Sequence, residues 1–341
     1  MILVTGGTGF LGSHLLETLV RSGKEVRAVY RGKILNYVDL EIAKDVDWMQ
    51  GDILDVVFIE KAMAGVDQVF HCAGLVSYNP ADNARMHAVN VDGTANIVNA
   101  CIANNACKLV YVSSVAAIGR NASGEMKNES CQWEEGHHNT AYGVTKHEAE
   151  MEVWRGIGEG LKAVIVNPSL LLGHSRGWED ESARLIKNVY EGFPWYTKGE
   201  TGFVNVKDVA KAMVELMERN IRSERFILNG ENWSYRRLFE TINHYFGKDT
   251  KLKYAAPWMG SAIIHIEKLR SKRKNRKPWI TRDLAKVANF KVYYDNSKIK
   301  QFLPGFEFTS IDKTIEETCS AYLKFISEKE GKEKSKVSLS H

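Results

Sequence analysis

Short apolar, β-branched runs alternate through the first half of the chain with longer stretches in which apolar positions recur every three or four residues. The runs are Ile2 to Thr5, Val26 to Tyr30, Val46 to Met49, Val66 to His71, Leu109 to Val112 and Ala163 to Val166. Continuous runs of this kind fit strands buried on both faces. Between them, Leu15, Leu16, Leu19 and Val20 share one helical face that ends at Gly23, and Ile97, Val98 and Cys101 share another within Asn90 to Ala103. Tyr142 to Trp154 is a third helical stretch. Strands alternating with helices predict an α/β chain with a doubly wound parallel sheet and right-handed crossovers. Its site is expected where the strands end, at their carboxyl edge.

After Pro168 the rhythm changes. Ser182 to Tyr190, Asp208 to Glu218 and Tyr235 to Phe246 read as helices, Gly202 to Val206 as extended, and Arg225 to Leu228 as a strand. The remainder to Ile326 reads as mostly helical, punctuated by Pro257, Pro278 and Pro304. The expected division is a dinucleotide-binding domain over 1–166 and 203–230, and a smaller, mostly helical substrate domain over 167–202 and 231–328. The charged, Ser-rich end, 329–341, reads as a disordered tail.

The first strand runs into a glycine-dense turn, MILVTGGTGFLG, and then into a helix. That order is the phosphate-binding unit of a Rossmann fold. Glycine suits the turn because a Cβ would block both the backbone angles and the approach of a phosphate. The helix start offers unpaired N–H groups and partial positive charge to a pyrophosphate. Two spacings fit at once: Gly7, Gly9 and Gly12, or Gly6, Gly9 and Gly12. The expected cradle is Gly6, Thr8, Gly9, Phe10, Leu11 and Gly12.

Tyr142 and Lys146 stand four apart in YGVTK, one turn apart on one helix face. Ser114 follows the fifth strand, at the edge that faces the cofactor cleft. These types suit proton transfer at a carbonyl carbon undergoing hydride transfer. A tyrosine hydroxyl titrates near pH 10. An ammonium about 4 Å away, at an effective dielectric of about 20, favours the phenolate by about 4 kcal/mol, roughly three pKa units. That brings Tyr142 toward neutrality as a general acid/base. Ser114 supplies a neutral donor to the substrate oxygen, and Lys146 reaches the ribose. A solvated helix face is the bland alternative for a lone Tyr-x-x-x-Lys pair; its place after the glycine unit and a Ser-ended strand weighs against that.

At this point the chain resembles the extended short-chain dehydrogenases/reductases, the NAD-dependent epimerase/dehydratase family. The pieces are TGGTGFLG, GDILD at 51–55, FHCAG at 70–74, NVDGTANIV at 90–98, LVYVSSVAAIG at 109–119, YGVTK at 142–146, NPSLLLG at 167–173 and FVNVKDVAKAM at 203–213. They are in the family's order. The resemblance implies a catalytic triad of Ser114, Tyr142 and Lys146. It also implies that Asp52 and Ile53 flank the adenine, that Ala73 and Gly74 line the cofactor, and that Pro168 sits beside the nicotinamide. The run P-S-L-L-L-G is similar to the dihydroflavonol-4-reductase and 3β-hydroxysteroid dehydrogenase branch, which acts on bulky, largely apolar substrates. Sugar-nucleotide members often carry R-x-x-N-V-Y-G-P there; this chain has Leu170 in place of that Asn. No acid pair follows Ser114, as it does in dehydratases. The expectation is an oxidoreductase interconverting a ketone and a secondary alcohol, with a sugar-nucleotide epimerase/dehydratase holding tight NAD as the alternative.

NAD-preferring units place an acid after the second strand to hold the ribose 2′-OH. Here Tyr30-Arg31-Gly32-Lys33 has none. Arg31 suits a 2′-phosphate with its planar fork, aided by Lys33, so NADP is expected, with NAD as the alternative. Trp178, Phe193, Trp195, Tyr196 and Trp258 are candidates for an aromatic pocket wall; core packing is their ordinary alternative.

The net charge of +4 is too small to imply a nucleic-acid partner. With a start directly in a strand no signal peptide is expected, and no apolar run is long enough to span a bilayer. The five cysteines, Cys72, Cys101, Cys107, Cys131 and Cys319, form no C-x-x-C pair, so neither zinc nor a disulfide framework is expected. A reducing cytoplasm is the expected home. His137-His138 lacks a third ligand at a diagnostic spacing, so no metal is expected. The apolar stretch before Leu269 and the basic run Lys268 to Lys277 suggest either a lid with a solvated end or weak peripheral membrane contact through 255–277. The helices near 90–103 and 142–156 are the family's usual pairing surface, which implies a homodimer.

Overall fold

The computed structural model describes residues 1–32, 38–104, 107–119, 124–136, 138–174, 178, 181–256, 259 and 282–338. Its centre is a seven-stranded sheet of β1 (Ile2–Thr5), β2 (Val26–Tyr30), β3 (Val46–Gln50), β4 (Gln68–His71), β5 (Lys108–Val112), β6 (Lys162–Pro168) and β7 (Glu224–Leu228). The spatial order is β3-β2-β1-β4-β5-β6-β7 and every pairing is parallel. The doubly wound reading therefore holds, and the order reverses between β1 and β4. Thr5 pairs with both Val29 and His71, and His71 with Tyr111. The strand ends thus fall in one row, which opens a crevice beside that switch point.

The alternation of a strand explains the two cores. Val4, Val110, Val164 and Val166 point to one face, where α1 (Phe10–Arg21) lays down Leu15, Leu16 and Leu19. Leu3, Leu109, Tyr111, Ala163 and Ile165 point to the other. That second face is covered by α2 (Gly93–Ala103) through Ile97 and Cys101, and by α3 (Ala141–Gly158) through Ala149 and Val153. A further helix, α4 (Val206–Glu218), packs Val209, Met213 and Leu216 on the α1 side.

The stretch over 90–103 is helical as expected, and the helix begins earlier and changes its winding. A short helix over Asn83–His87 passes through a π-helical turn, Ala88–Asp92, before α2 begins at Gly93. Gly93 lets Ile53 pack against the helix start, since a Cβ there would lie 2.6 Å from Ile53 Cδ1. The turn aims Asn90 inward, where it is buried.

A third core lies beyond the sheet. The strand Glu200–Asn205 pairs with Leu170–Leu172 and with Glu231–Ser234 in a separate three-stranded sheet, while β7 completes the large one. Helices over Glu181–Tyr190 and Tyr235–Tyr245, together with α5 (Ile311–Ser338), close on Phe203, Trp233, Leu238, Ile315 and Tyr322. The part after Pro168 holds more strand than the mostly helical reading expects: besides Leu170–Leu172 and Glu231–Ser234, Trp195–Tyr196 pairs in parallel with Lys253–Tyr254, and Val292–Tyr294 with Glu125–Lys127. The disordered-tail reading needs correction, because α5 continues to Ser338. Glu and Lys dominate that stretch, and both are strong helix formers that can propagate a turn already nucleated by a packed segment.

Candidate active site

The glycine turn closes with Gly9 N donating to Gly6 O at 2.9 Å and Ser13 N donating to Gly9 O at 2.9 Å. Gly6 has a φ of 71°, and a Cβ on it would lie 2.6 Å from Ala73 N. A Cβ on Gly12 would lie 2.1 Å from Gly6 O. A Cβ on Gly7 would meet side chains and no backbone, the nearest being the movable Leu16 at 2.8 Å. Of the two spacings, the structure therefore needs glycine most at Gly6 and Gly12. Thr8 and Phe10 are half-buried and Gly9 is exposed, whereas the Leu11 side chain belongs to the core. Glycine is the N-cap of α1, no side chain caps it, and its first turn holds no acid. Those helix N–H groups and the close-packed turn fit a dinucleotide pyrophosphate.

Across the switch point, Ala73 N reaches Thr5 Oγ1 at 3.4 Å. His71 is fully buried, bonded to Thr5 Oγ1 at 2.6 Å and to Thr94 Oγ1 at 3.0 Å. Burial, aided by the Lys146 charge, holds its pKa down to about 3. Asn90 clamps the next turn: Leu75 N donates to its Oδ1 at 2.7 Å, and its Nδ2 donates to Leu75 O at 3.0 Å and Thr145 Oγ1 at 3.1 Å.

Ser114 leaves β5 as the cap of the turn Val115–Ile118, its Oγ accepting from Ala116 N at 3.2 Å. Thr140 caps α3 by accepting from Gly143 N at 3.0 Å. A Cβ on Gly143 would lie 2.9 Å from Ala116 O, so the first turn of α3 rests on the turn after Ser114. That contact sets the helix turn carrying Tyr142 against the turn that follows Ser114. Tyr142 is half-buried and meets Tyr78 edge-on at 6.4 Å. Lys146 is buried; its Nζ donates to Val112 O at 2.8 Å and Tyr111 Oη at 3.3 Å. A Cβ on Gly74 would sit 3.5 Å from that ammonium. Burial lowers the Lys146 pKa to about 8, while Glu150 and Cys72 pull it upward. Burial also pushes the Cys72 thiol up to about 12.

Just beyond β2, the exposed Arg31 places its Nη1 3.5 Å from Oδ2 of the half-buried Asp52. Ile53 is buried, and Asn96 Nδ2 donates to its carbonyl at 3.0 Å. Lys33 lies outside the described residues. Pro168 closes β6, buried and paired with Leu228.

The aromatic wall takes a different form. Trp178 is buried against Tyr322 at 4.7 Å, and Phe193 packs on Phe239 at 6.5 Å. Trp195 lies under Lys253 and Tyr196 under Arg236. Rings that can bury against one another in the third core do so, and Trp258 lies outside the described residues. His137 lies outside them as well, while His138 packs beside Phe290 at 5.3 Å. Nearly all of the basic run and its apolar lead, 257–258 and 260–277, is likewise outside them. Among the described residues, no helix is long and apolar enough to cross a membrane.

Sequence reasoning missed the roles of His71, Asn90, Glu150 and Asn167. Glu150 left one trace, an acid one turn beyond Lys146 beside Ala149 and Val153, which face the core.

A profile of the NAD-dependent epimerase/dehydratase family matches residues 2–228. A putative dihydroflavonol 4-reductase of Synechocystis sp. is 30% identical, over 92% of this chain and 91% of that protein. Tetraketide alpha-pyrone reductase 2 of Arabidopsis thaliana is 31% identical over 68% of this chain and 79% of its own length. Among solved structures, the UDP-glucose 4-epimerase of Thermotoga maritima superimposes with a TM-score of 0.76 at 22% identity, covering 95% of this chain and 99% of that one. That last likeness is one of fold.

Proposed function

The chain belongs to the NAD-dependent epimerase/dehydratase family, and from that premise we propose that it is an NADP(H)-dependent oxidoreductase interconverting a ketone and a secondary alcohol on a hydrophobic or aromatic substrate. The observation that carries this reading is the buried Lys146 ammonium, bonded to Val112 O at 2.8 Å at the sheet's carboxyl edge, one helical turn from Tyr142. Gly6, Gly9, Gly12 and the start of α1 hold the pyrophosphate. Ala73, Gly74 and Pro168 line the path of the nicotinamide, and Ile53 and Asp52 flank the adenine. Arg31, exposed just beyond β2, meets the 2′-phosphate. When bound, the dinucleotide supplies or accepts the hydride at the carbonyl carbon.

Tyr142 donates its phenolic proton to the carbonyl oxygen in reduction and takes it back in oxidation. The Lys146 charge favours the phenolate and so eases that transfer. The Ser114 hydroxyl donates to the oxygen as charge builds there. Leu170 and Tyr78, near the strand ends, give the substrate side an apolar lining. The reductase relatives of Synechocystis and Arabidopsis support a carbonyl substrate. Exposed Val144 and Met151 on α3 suit pairing of two copies through that helix, which sedimentation would register as a doubled mass.

The test is a panel of aromatic and alicyclic ketones with NADPH, followed by absorbance. Net oxidation of NADPH is expected. A protein that retains NAD through purification and consumes no reduced cofactor with any ketone is instead the sugar-nucleotide epimerase.

A further inference from the structure

The carboxylate of Glu150 is fully buried on α3, one turn beyond Lys146 and two beyond Tyr142. Asn167 Nδ2 donates to its Oε1 at 2.5 Å, and the same nitrogen donates to Ser114 O at 3.0 Å. Arg225 Nη1 stands 3.4 Å from its Oε2. The guanidinium is itself pinned from behind, donating to Glu129 O at 2.9 Å and 2.6 Å and to Cys131 O at 2.6 Å. Glu150 therefore ties α3 to the ends of β5 and β6 and to β7 at a single point. Helix packing alone does not call for this. The neighbours on that face are Ala149 and Val153, and an apolar residue can replace a buried ion pair at little or no loss of stability.

We propose that Glu150 is a positioning residue of this site: through Asn167 it fixes the main chain of Ser114, and from one turn along α3 it sets a negative charge against the buried Lys146 ammonium. The inference rests on the reading of Ser114, Tyr142 and Lys146 given above. The groups around Lys146 are Glu150 and Tyr142 from α3, His71 from β4 with Cys72 just after it, and Tyr111 from β5. Around Glu150 stand Arg225 from β7, Ser113 and Tyr111 at β5, Asn167 from β6 and Lys146 itself. Glu150 is the anion in this set that bears on Lys146. Burial raises its carboxyl pKa, while Ser113, Arg225 and Asn167 draw it back down.

The test compares Glu150→Gln and Glu150→Asp with the wild type in the full chain. Two readouts are needed. One is the titration of Lys146, from the side-chain ¹³Cε shift of lysine-labelled protein assigned with Lys146→Arg. The other is kcat and KM for the best ketone, from pH 6 to pH 10. Gln keeps the shape but not the charge. It is expected to lower the Lys146 midpoint by about one unit, a tenfold loss of proton affinity. The alkaline fall of kcat should move down with it, and kcat should drop about tenfold with KM little changed. Asp keeps the charge but shortens the reach, so the midpoint should stay near the wild-type value while kcat still drops. A folded Gln variant with the wild-type midpoint overturns the proposal. Should the Gln variant not fold, an Asp variant with undiminished kcat overturns it. The midpoint needs no turnover, so a wild type that reduces no ketone sinks the functional reading and still leaves the Glu150–Lys146 link to be decided by titration.

Discussion

The corner where β1, β4, β5 and β6 end and the core beneath α5 are built on opposite principles. The corner buries polar groups: Thr5, His71, Asn90, Lys146, Glu150 and Asn167 are all hidden from solvent. The third core buries rings and aliphatic chains, with Trp178, Phe203, Trp233, Phe239 and Tyr322 in one cluster and Trp178 edge-on to Tyr322. A buried polar group is tolerated only when its hydrogen bonds are met from fixed directions, so the corner depends on the exact register of the sheet. A ring tolerates many partners, so the third core depends on volume. Directed hydrogen bonding needs the first kind of construction, and tolerance of changed side chains goes with the second.

Four measurements bear on that contrast. Tyr142→Phe deletes one oxygen in the corner and is expected to lower kcat/KM by about 10³-fold. Cofactor affinity, measured by fluorescence titration, should hardly change. A loss smaller than tenfold removes Tyr142 from the chemistry.

Trp178→Ala strikes the other region. It is expected to destabilise the fold by about 3–5 kcal/mol in denaturant titration, with KM for the best ketone unmoved. The opposite pattern, a large rise in KM at unchanged stability, would make Trp178 a pocket wall after all.

The pH response should come from the corner. Lys146 titrates at about 8 in the folded chain against 10.5 unfolded. Between those values the unfolded chain binds more protons, so this group's contribution to stability rises with pH. Activity that needs the ammonium falls across the same window. Activity and stability are thus expected to move in opposite directions above pH 8, and Lys146→Met should abolish that part of the stability slope. His71, at about 3 against 6.5, works on the acid side. Its contribution is lost as pH falls below 6.5, because only the unfolded imidazole takes up a proton there. Chemical denaturation at pH 5, 7 and 9 measures both slopes.

The smallest effect is at the rim. Arg31→Ala should reduce the NADPH-to-NADH ratio of kcat/KM by about tenfold, the loss of a charge-assisted contact worth about 1.4 kcal/mol. A ratio that does not move refutes the NADP assignment.

Parts of the corner were legible because their signals are local. The Gly6-Gly9-Gly12 turn lies between a strand and a helix, and Tyr142 and Lys146 share a face by helical spacing alone. Thr5–His71, Asn90–Thr145 and Glu150–Asn167 were not legible. Their partners are 66, 55 and 17 residues apart in the chain. Nothing in a one-dimensional pattern says that a buried histidine will be held by two threonines. Trp178 was ambiguous for a related reason, since a tryptophan reads alike whether it lines a cavity or fills a core, and here it is buried.

By itself, then, the order of apolar and polar residues determined the parallel sheet, the phosphate turn and the Tyr–Lys helix, because each needs only interactions within a few residues or one repeating period. The folded chain decided which glycines admit no side chain, which strand edge Glu200–Asn205 joins, and how Asn167 and Arg225 meet one carboxylate. Those outcomes depend on distances between segments remote in sequence, and they are set only when the two faces of the sheet are packed.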